Sequence, residues 1–151
     1  MLASNYAIKR DFRAYIRFKF YTGRVSPLFW LLETQMHPLS TDLNIQDIIG
    51  RQLNQVGVGR WDAQFSFDCT RIIQSMGKVE ITTGNKVIVV FNGEWLDISP
   101  IQDIVGLEVI AWSRLNDHSF SVTLDNNSVI TFYTSDVPYE EIIIYPEEWV
   151  F

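Results

Sequence analysis

One short segment occurs twice in this chain of 151 residues, with five of its six residues unchanged. Residues 45–50 read IQDIIG, and residues 101–106 read IQDIVG. The similarity continues beyond each copy, because residues 64–68 line up with residues 121–125. The offset is 56 residues at the first match and 57 at the second, which indicates one inserted residue between them. A chain built this way is constrained to use one supersecondary unit twice.

We interpret the unit as a helical turn, a glycine stop and a β-hairpin, spanning about residues 43–76 and 99–133. Gly50 and Gly106 each follow the helical turn, where glycine can take the left-handed conformation that ends a helix. One such unit cannot bury its apolar face alone, whereas two copies can face each other. The prediction is therefore a mainly β (α+β) domain with two short helices, arranged as a sandwich or open barrel with a pseudo-twofold relation. One continuous sheet with a shared start motif is the alternative.

Hydrophobic patterns place the individual elements. The first helix is predicted from Leu43 to Ile49, and the second begins with a capping box in which Ser99 caps and Gln102 follows three residues later. Alternating or fully apolar runs predict strands, at residues 53–58, 63–67, 71–76, 79–82, 86–91, 107–112, 119–124, 129–133 and 141–145. Residues 87–91 are apolar on both faces, which favours a central strand covered on both sides. Residues 114–118 are predicted to be a polar loop.

Charge is distributed unevenly along the chain. The formal net charge is −6, made up of +5 in residues 1–24, −1 in residues 25–35 and −10 in residues 36–151, where six basic side chains face sixteen acidic ones. Phosphate binding needs clustered Lys and Arg, so this acidic body argues against nucleic acid as a direct partner. It favours attraction to basic partners.

Residues 1–35 differ from the rest and are treated as an N-terminal extension ahead of a single domain at residues 36–151. They are basic, with a period-2 apolar pattern followed by the apolar patch at residues 27–32. Three interpretations remain open: an added element, an upstream extension of a reading frame that starts at Met36, or a membrane-surface or targeting segment. No run of 18 apolar residues predicts a transmembrane helix, and the single cysteine is compatible with a reducing cytoplasm, so a cytoplasmic location is predicted.

No motif in the sequence carries catalysis. Asp117 and His118 adjoin in a loop and could act as general acid and base, but no nucleophile pattern accompanies them, and Asp68 beside Cys69 disfavours a reactive thiolate. One cysteine and two separated histidines do not provide a zinc spacing, and no phosphate-binding glycine motif is present. Asp47 and Asp103 occupy equivalent positions and are read as residues that favour the helix start. The prediction is a non-enzymatic protein without metal or cofactor.

The C-terminal half combines acidic side chains with aromatic ones. Acidic residues around aromatic anchors form a plausible face for a basic protein partner. The predicted partner-binding residues are Trp112, Asp117, Asp136, Tyr139, Glu140, Glu141, Glu147, Glu148 and Trp149. The alternative is a solvated acidic surface around core aromatics.

Several strings in the chain resemble small uncharacterised bacterial proteins. These strings are residues 48–50, 56–59 and 65–67 in the first half, and residues 104–106, 120–126 and 138–141 in the second. In size and acidity those proteins are similar to the immunity proteins that neutralise polymorphic toxins, and the likeness covers about residues 43–145. The resemblance implies a cytoplasmic binding protein that holds a basic toxin, for example a nuclease, without catalysis. A small-ligand module with a pocket between the halves, near Trp61 and Trp112, is the alternative.

Overall fold

A computed structural model of the protein describes residues 38–68, 71–134, 141–147 and 149–151. The predicted extension at residues 1–35 lies outside these ranges. The described part is mainly β, which confirms that part of the predicted fold class. The described strands are β1 (Leu53–Val58), β2 (Ala63–Phe67), β3 (Arg71–Ser75), β4 (Lys78–Thr83), β5 (Lys86–Asn92), β6 (Val109–Asn116), β7 (Ser119–Leu124), β8 (Val129–Tyr133), β9 (Ile142–Tyr145) and β10 (Trp149–Val150).

The strands form two antiparallel five-stranded sheets. Sheet 1 has the order β1-β2-β3-β9-β10, and sheet 2 has the order β5-β4-β8-β7-β6. Each sheet therefore takes three consecutive strands from one half of the chain and a hairpin from the other half. Neither sheet closes on itself within the described residues.

The two helical elements are shorter than predicted. A 3₁₀ turn covers Gln46–Ile48, and α1 covers Ile101–Ile104. Gly50 (φ 79°) and Gly106 (φ 89°) take left-handed conformations after them, which confirms the predicted glycine stops. The predicted capping box is wrong, because Pro100 is the N-cap and no side chain caps the helix. The Ser99 amide instead donates to the Asp97 carboxylate at 2.9 Å, so a local Asx turn holds this residue.

Aromatic side chains join the two sheets in one hydrophobic core. Phe65 of sheet 1 meets Phe132 of sheet 2 edge to face, with ring centroids 5.1 Å apart. Phe132 in turn stacks on Phe120, with centroids 5.0 Å apart. All three rings are fully buried, so the alternating pattern of β2, β7 and β8 places its apolar side toward the other sheet.

Pairing registers in the two sheets correspond at the offset seen in the sequence. Phe65 lies opposite Ile73 in sheet 1, and Val122 lies opposite Ile130 in sheet 2, 57 residues later. Both first strands carry a register irregularity at the same place, between residues 53 and 55 and between residues 109 and 111. The change of offset from 56 to 57 falls between Arg114 and Phe120, where β6 has a second register irregularity.

The segments that follow the two helical turns also bond to each other. The Gly50 amide donates to the Val109 carbonyl at 2.8 Å, and the Gly106 amide donates to the Leu53 carbonyl at 2.7 Å. Between them, Gln52 and Glu108 form an isolated antiparallel bridge. Adding 56 to the number of Gly50 and subtracting 56 from that of Val109 gives Gly106 and Leu53, so the two hydrogen bonds are equivalent in the two halves.

Two strand predictions are wrong in detail. Residues 87–91 were expected to form a central strand, but β5 is at the edge of sheet 2 and Val87 is 57% exposed. The adjacent residues Val90 and Phe91, at the other end of β5, are fully buried. The predicted loop at residues 114–118 is mostly strand, since β6 continues to Asn116 before turning into β7.

Candidate functional site

One end of the domain gathers both helical turns and four strand connections, and we call it the helical end. The amides of Asp68 and Asp125 donate to the carbonyls of Gln52 and Glu108, which fixes two of these connections beside the bridge. Acidic side chains at this end include Asp47, Asp68, Asp103, Glu108, Asp125 and Glu147. Three basic side chains accompany them: Arg51, Arg71 and Lys86. The local charge is therefore strongly negative.

Arg71 is the centre of an ion cluster at the helical end. Its Nε donates to the Asp47 carboxylate at 2.8 Å, while its two terminal nitrogens donate to Glu147 at 2.7 and 3.0 Å. The Arg71 side chain is only 7% exposed, whereas the side chains of Asp47 and Glu147 are 51% and 40% exposed. The cluster thus places a buried cation beneath two carboxylates that remain in contact with water.

The contacts in this cluster favour the charged forms of its members. Burial of Arg71 opposes its charge, but the hydrogen bonds to Glu147 and Asp47 prevail and raise the Arg71 pKa above its ordinary value. The hydrogen bond from Arg71 lowers the pKa of Glu147. The contact between Arg71 and Glu147 therefore favours the charged form of both groups.

A polar cavity of about 300 Å³ lies beside α1 at the same end. It opens between α1, the β4–β5 turn and the β7–β8 turn. Its polar lining comes from Thr83, Lys86, Gln102, Asp103, Asn126 and Ser128. Ser128 is almost fully buried at 1% exposure, and its hydroxyl lies 3.0 Å from that of Thr83. The cavity offers hydroxyl, amide and carboxylate oxygens to a polar ligand.

A second cavity of about 310 Å³, on the β1 side of α1, is mainly apolar. Val58, Ile98 and Ile101 contribute to its wall. The side chains of Val58 and Ile98 are more than half exposed. Trp61, three residues after Val58 in the sequence, is 64% exposed. Arg60 lies over the Trp61 ring at 4.8 Å, a cation–π contact.

The predicted partner-binding residues do not form one patch in the described part of the chain. Asp136, Tyr139, Glu140 and Glu148, together with the Trp149 side chain, lie outside what the structure describes. Glu141 precedes β9 and Glu147 follows it, so the strand separates them. Asp117 lies in the β6–β7 turn, and Trp112 is half-buried against the core from β6. Of the described members, only Glu147 belongs to the helical end.

Asp117 and His118 do not form an acid–base pair with each other in the described hydrogen bonds. The Asp117 carboxylate accepts from Arg114 at 2.9 Å, while His118 Nδ1 lies 3.2 Å from the Thr134 hydroxyl. Arg114 also donates to the carbonyls of Leu39 and Ser40, which anchors the segment before the 3₁₀ turn. These contacts are structural. Within the described residues, no group of three or more His, Cys, Asp or Glu is arranged to hold a metal ion.

A separate polar group lies on sheet 2. The Tyr133 hydroxyl donates to Glu80, and Lys78 pairs with Glu80 at 2.7 Å while its ammonium lies 4.5 Å from the Tyr133 ring centre. Burial, followed by the bond to Glu80, raises the pKa of Tyr133 to about 12. Although burial opposes it, the bonds from Lys78 and Tyr133 lower the pKa of Glu80. The arrangement links β4 to β8.

Sequence reasoning missed the helical end as a unit. Glu108 and Asp68 carry no motif, and Arg71 lies 76 positions from Glu147. The available signal was the equivalence of Asp47 and Asp103, which marks both helical turns as carriers of a carboxylate. That signal does not reveal that the strand connections bring Glu108, Asp125 and Glu147 to the same end.

The comparisons with known proteins leave the function to be argued from this geometry. A scan against protein-family models finds no match, and searches of the curated proteins and of the solved structures find no significant similarity to this chain. In the part of the chain that the structure describes, no helix has the length and apolar character needed to cross a membrane.

Proposed function

We propose that this protein is a non-catalytic binding protein that captures a basic protein partner, in the manner of an immunity protein that neutralises a toxin. The observation that carries the proposal is the concentration of exposed carboxylates at the helical end, on a body with a net charge of −10 over residues 36–151. A surface of one sign focuses the electric field and accelerates encounters with a partner of the opposite sign. The cytoplasm is the proposed location.

The proposed contact surface combines the helical end with the acidic residues expected from sequence. Asp103, Glu108 and Asp125 are exposed at the helical end, where Glu147 joins them. Asp136, Tyr139, Glu140, Glu148 and the Trp149 side chain lie outside the described residues and stay candidates from the sequence alone. Aromatic side chains would act as its anchors, since buried aromatic contacts dominate protein interfaces.

We also propose that the two halves are copies of one unit, packed as a pseudo-twofold sandwich in which the β4–β5 and β9–β10 hairpins are exchanged between sheets. The corresponding registers, the reciprocal bonds around Gln52 and Glu108, and the matching sheet orders support this view. Exchange of a hairpin fixes each half to the other, which suits a rigid binding scaffold.

The experiment starts with the tagged full-length chain and a lysate of the source organism. Capture at low salt should recover a single basic protein that is lost at moderate salt, because ionic screening weakens an electrostatic encounter. Binding kinetics with the recovered partner then locate the surface. We expect Glu108→Lys with Asp125→Lys to slow association by about tenfold or more.

Control variants separate the possible surfaces. Glu94→Lys makes the same kind of charge reversal after β5 and should leave association nearly unchanged. Slower association in Glu140→Lys with Glu141→Lys, but not in the helical-end variant, would move the contact to the sequence-predicted face. If neither double variant alters the association rate, acidic recognition is refuted.

A small-ligand module is the second candidate, and the polar cavity beside α1 is the observation that favours it. These two cavities are not lined by Trp61 or Trp112, near which the sequence predicts a pocket. Native mass spectrometry of the purified chain tests this candidate. A stoichiometric small molecule that survives purification supports it over the protein-binding proposal.

A further inference from the structure

The Arg71 cluster and the polar cavity occupy corresponding positions in the two sheets. Arg71 begins β3 and lies opposite Phe67 of β2. Ser128 lies 57 residues later, just before β8, and its carbonyl accepts from the Leu124 amide of β7 at 2.8 Å. Since β2–β3 and β7–β8 share their register at that offset, Ser128 stands in sheet 2 where Arg71 stands in sheet 1.

The helical carboxylate is retained in both places. Asp47 lies in the 3₁₀ turn and accepts from Arg71. Asp103 is the same residue of the second IQD segment, lies in α1, and lines the cavity. Within the described part of the chain, the Asp103 carboxylate makes no hydrogen bond or ion pair, so the partner that Asp47 has in Arg71 is missing here.

The third charged residue is an acid, Glu147, in sheet 1 and a base, Lys86, in sheet 2. In sheet 1, Trp149 of β10 lies opposite Ile144 of β9, which pairs with β3. In sheet 2, Ile88 of β5 lies opposite Ile81 of β4, which pairs with β8. Trp149 and Ile88 therefore have the same backbone register in their hairpins. Two residues before these positions are Glu147, in the β9–β10 turn, and Lys86, at the start of β5. Asp103 and Ser128 therefore correspond to Asp47 and Arg71, and Lys86 brings an ammonium group to the cavity where the Arg71 cluster has the Glu147 carboxylate.

This substitution pattern explains why a cavity exists. The long Arg71 side chain fills the space between its two carboxylates, whereas the Ser128 side chain ends at a hydroxyl bonded to Thr83. The space that an arginine side chain would fill is left open, at about 300 Å³. The backbone around it keeps the register that accommodates an arginine in the other sheet.

We propose that this cavity binds the guanidinium group of an arginine side chain supplied by the protein partner. Asp103 would pair with the cation as Asp47 does with Arg71. A guanidinium carries five N–H donors in a planar fork, and the oxygens of Thr83, Gln102 and Asn126 around the cavity can accept from it. The identity of the carrier as a protein partner rests on the proposed function, whereas the affinity for the guanidinium itself does not.

Lys86 sets the strength of this site. Its ammonium replaces one of the two carboxylates that hold Arg71, so binding is weaker than in the Arg71 cluster and reversible. Asp97 lies close enough to Lys86 for an electrostatic interaction. Its pKa is lowered first by hydrogen bonds from Ser99 and in smaller part by the Lys86 charge. Asp97 thereby partly offsets the positive charge at the cavity wall and leaves Asp103 as the unmatched anion.

The test uses the full-length chain and Nα-acetyl-arginine amide, which presents the side chain as it occurs within a protein. Amide NMR shifts of Thr83, Asn126 and Ser128 report occupancy. We expect saturable binding with a Kd on the order of 1 mM, typical of one charge-assisted contact. Nα-acetyl-citrulline amide has the same shape without the charge and should produce no saturable shift at the same concentrations.

Variants give the site a gain-of-function test. Lys86→Glu restores the second carboxylate and should tighten binding by about tenfold, the effect of one added hydrogen bond to a charged group. Arg60→Glu makes the same change in net charge in the β1–β2 turn and should leave the Kd unchanged. Asp103→Asn should weaken binding by about tenfold, and Ser128→Arg should abolish it by filling the cavity.

The contrary results are specific. Equal binding of the citrulline probe, or equal tightening by Lys86→Glu and Arg60→Glu, overturns the site. Free L-arginine binding more than about tenfold tighter than the blocked probe would assign the cavity to a free guanidino compound and overturn the partner assignment. A chain that captures a basic protein but does not bind the blocked arginine refutes this site and retains the proposed function.

Discussion

The guanidinium of Arg71 and the carboxylate of Glu147 form two parallel hydrogen bonds of 2.7 and 3.0 Å between residues 76 positions apart. This pair ties the start of β3 to the β9–β10 turn, and Asp47 joins the 3₁₀ turn to the same cation. Three segments from distant parts of the chain are therefore held by one buried side chain. Removal of the Arg71 side chain should therefore destabilise the whole helical end.

Replacing Arg71 with methionine should lower the free energy of unfolding by about 2 kcal/mol. Methionine keeps much of the apolar stem, so the loss reflects hydrogen bonds to charged groups, which contribute about 1.5–3 kcal/mol each before solvent screening of the exposed carboxylates. Urea unfolding measures the change. Arg51→Met, at an exposed position of the same end, is the control and should change stability by less than about 0.5 kcal/mol. Equal losses in the two variants would contradict this role.

Acid should weaken the helical end through Glu147. The hydrogen bond from Arg71 lowers the pKa of Glu147 below its ordinary value of 4.5, so its stabilising contribution is present above that pH and is lost as pH falls through the folded-state pKa. Glu147→Gln should therefore lose less stability than the parent between pH 5 and about pH 3. Thermal unfolding at a series of pH values tests this. Glu94→Gln, which removes an exposed carboxylate outside the cluster, should follow the parent curve.

Alkali should act on sheet 2 through Tyr133. Burial and the bond to Glu80 raise the pKa of Tyr133 from 10.0 to about 12. A raised folded-state pKa means that the contribution is full below pH 10 and disappears as pH approaches 12. Tyr133→Phe should flatten the loss of stability over this range. Ultraviolet titration of tyrosinate should show one late-ionising residue in the parent that the variant lacks; a titration identical in both proteins would refute the assignment.

The two glycine stops should be equally sensitive to substitution. Gly50 and Gly106 have φ values of 79° and 89°, and an added Cβ would meet no atom within 4 Å at either place. Any cost therefore comes from the left-handed backbone, about 1–2 kcal/mol for alanine. Gly57→Ala is the matched control, since its φ is not positive and the new Cβ would make ordinary contact with Gln64 at 3.4 Å. Chemical denaturation of the three variants compares these costs.

Local patterns predicted most of the secondary structure. The limits of β1, β2, β7 and β8 match the predicted runs, because residues that favour turns lie next to each run. The glycine stops were equally visible, since few other residues adopt positive φ at low cost. The helices proved shorter than predicted because backbone bonds of Gly50 and Gly106 to the opposite half begin at once.

Nonlocal pairing escaped the sequence patterns. The apolar run of β5 looked central, yet the strand lies at a sheet edge, because hydrophobicity reports burial of side chains and not the number of neighbouring strands. The β4–β5 hairpin pairs with β8 of the other half, although β3 precedes it directly in the chain. The edge position of β5 and the pairing of the β4–β5 hairpin with β8 both depend on which surfaces pack together in the folded domain.

By itself, the sequence determined a duplicated IQD segment, an acidic body, the strand pattern and the positions of the left-handed glycines, all of which follow from local chemistry. Only the tertiary structure decided that Arg71 is buried between Asp47 and Glu147 and that a cavity lies beside Ser128. The reason is physical: a cavity is the space between several chain segments, and its size depends on side chains brought together from residues 83 to 128 by strand pairing.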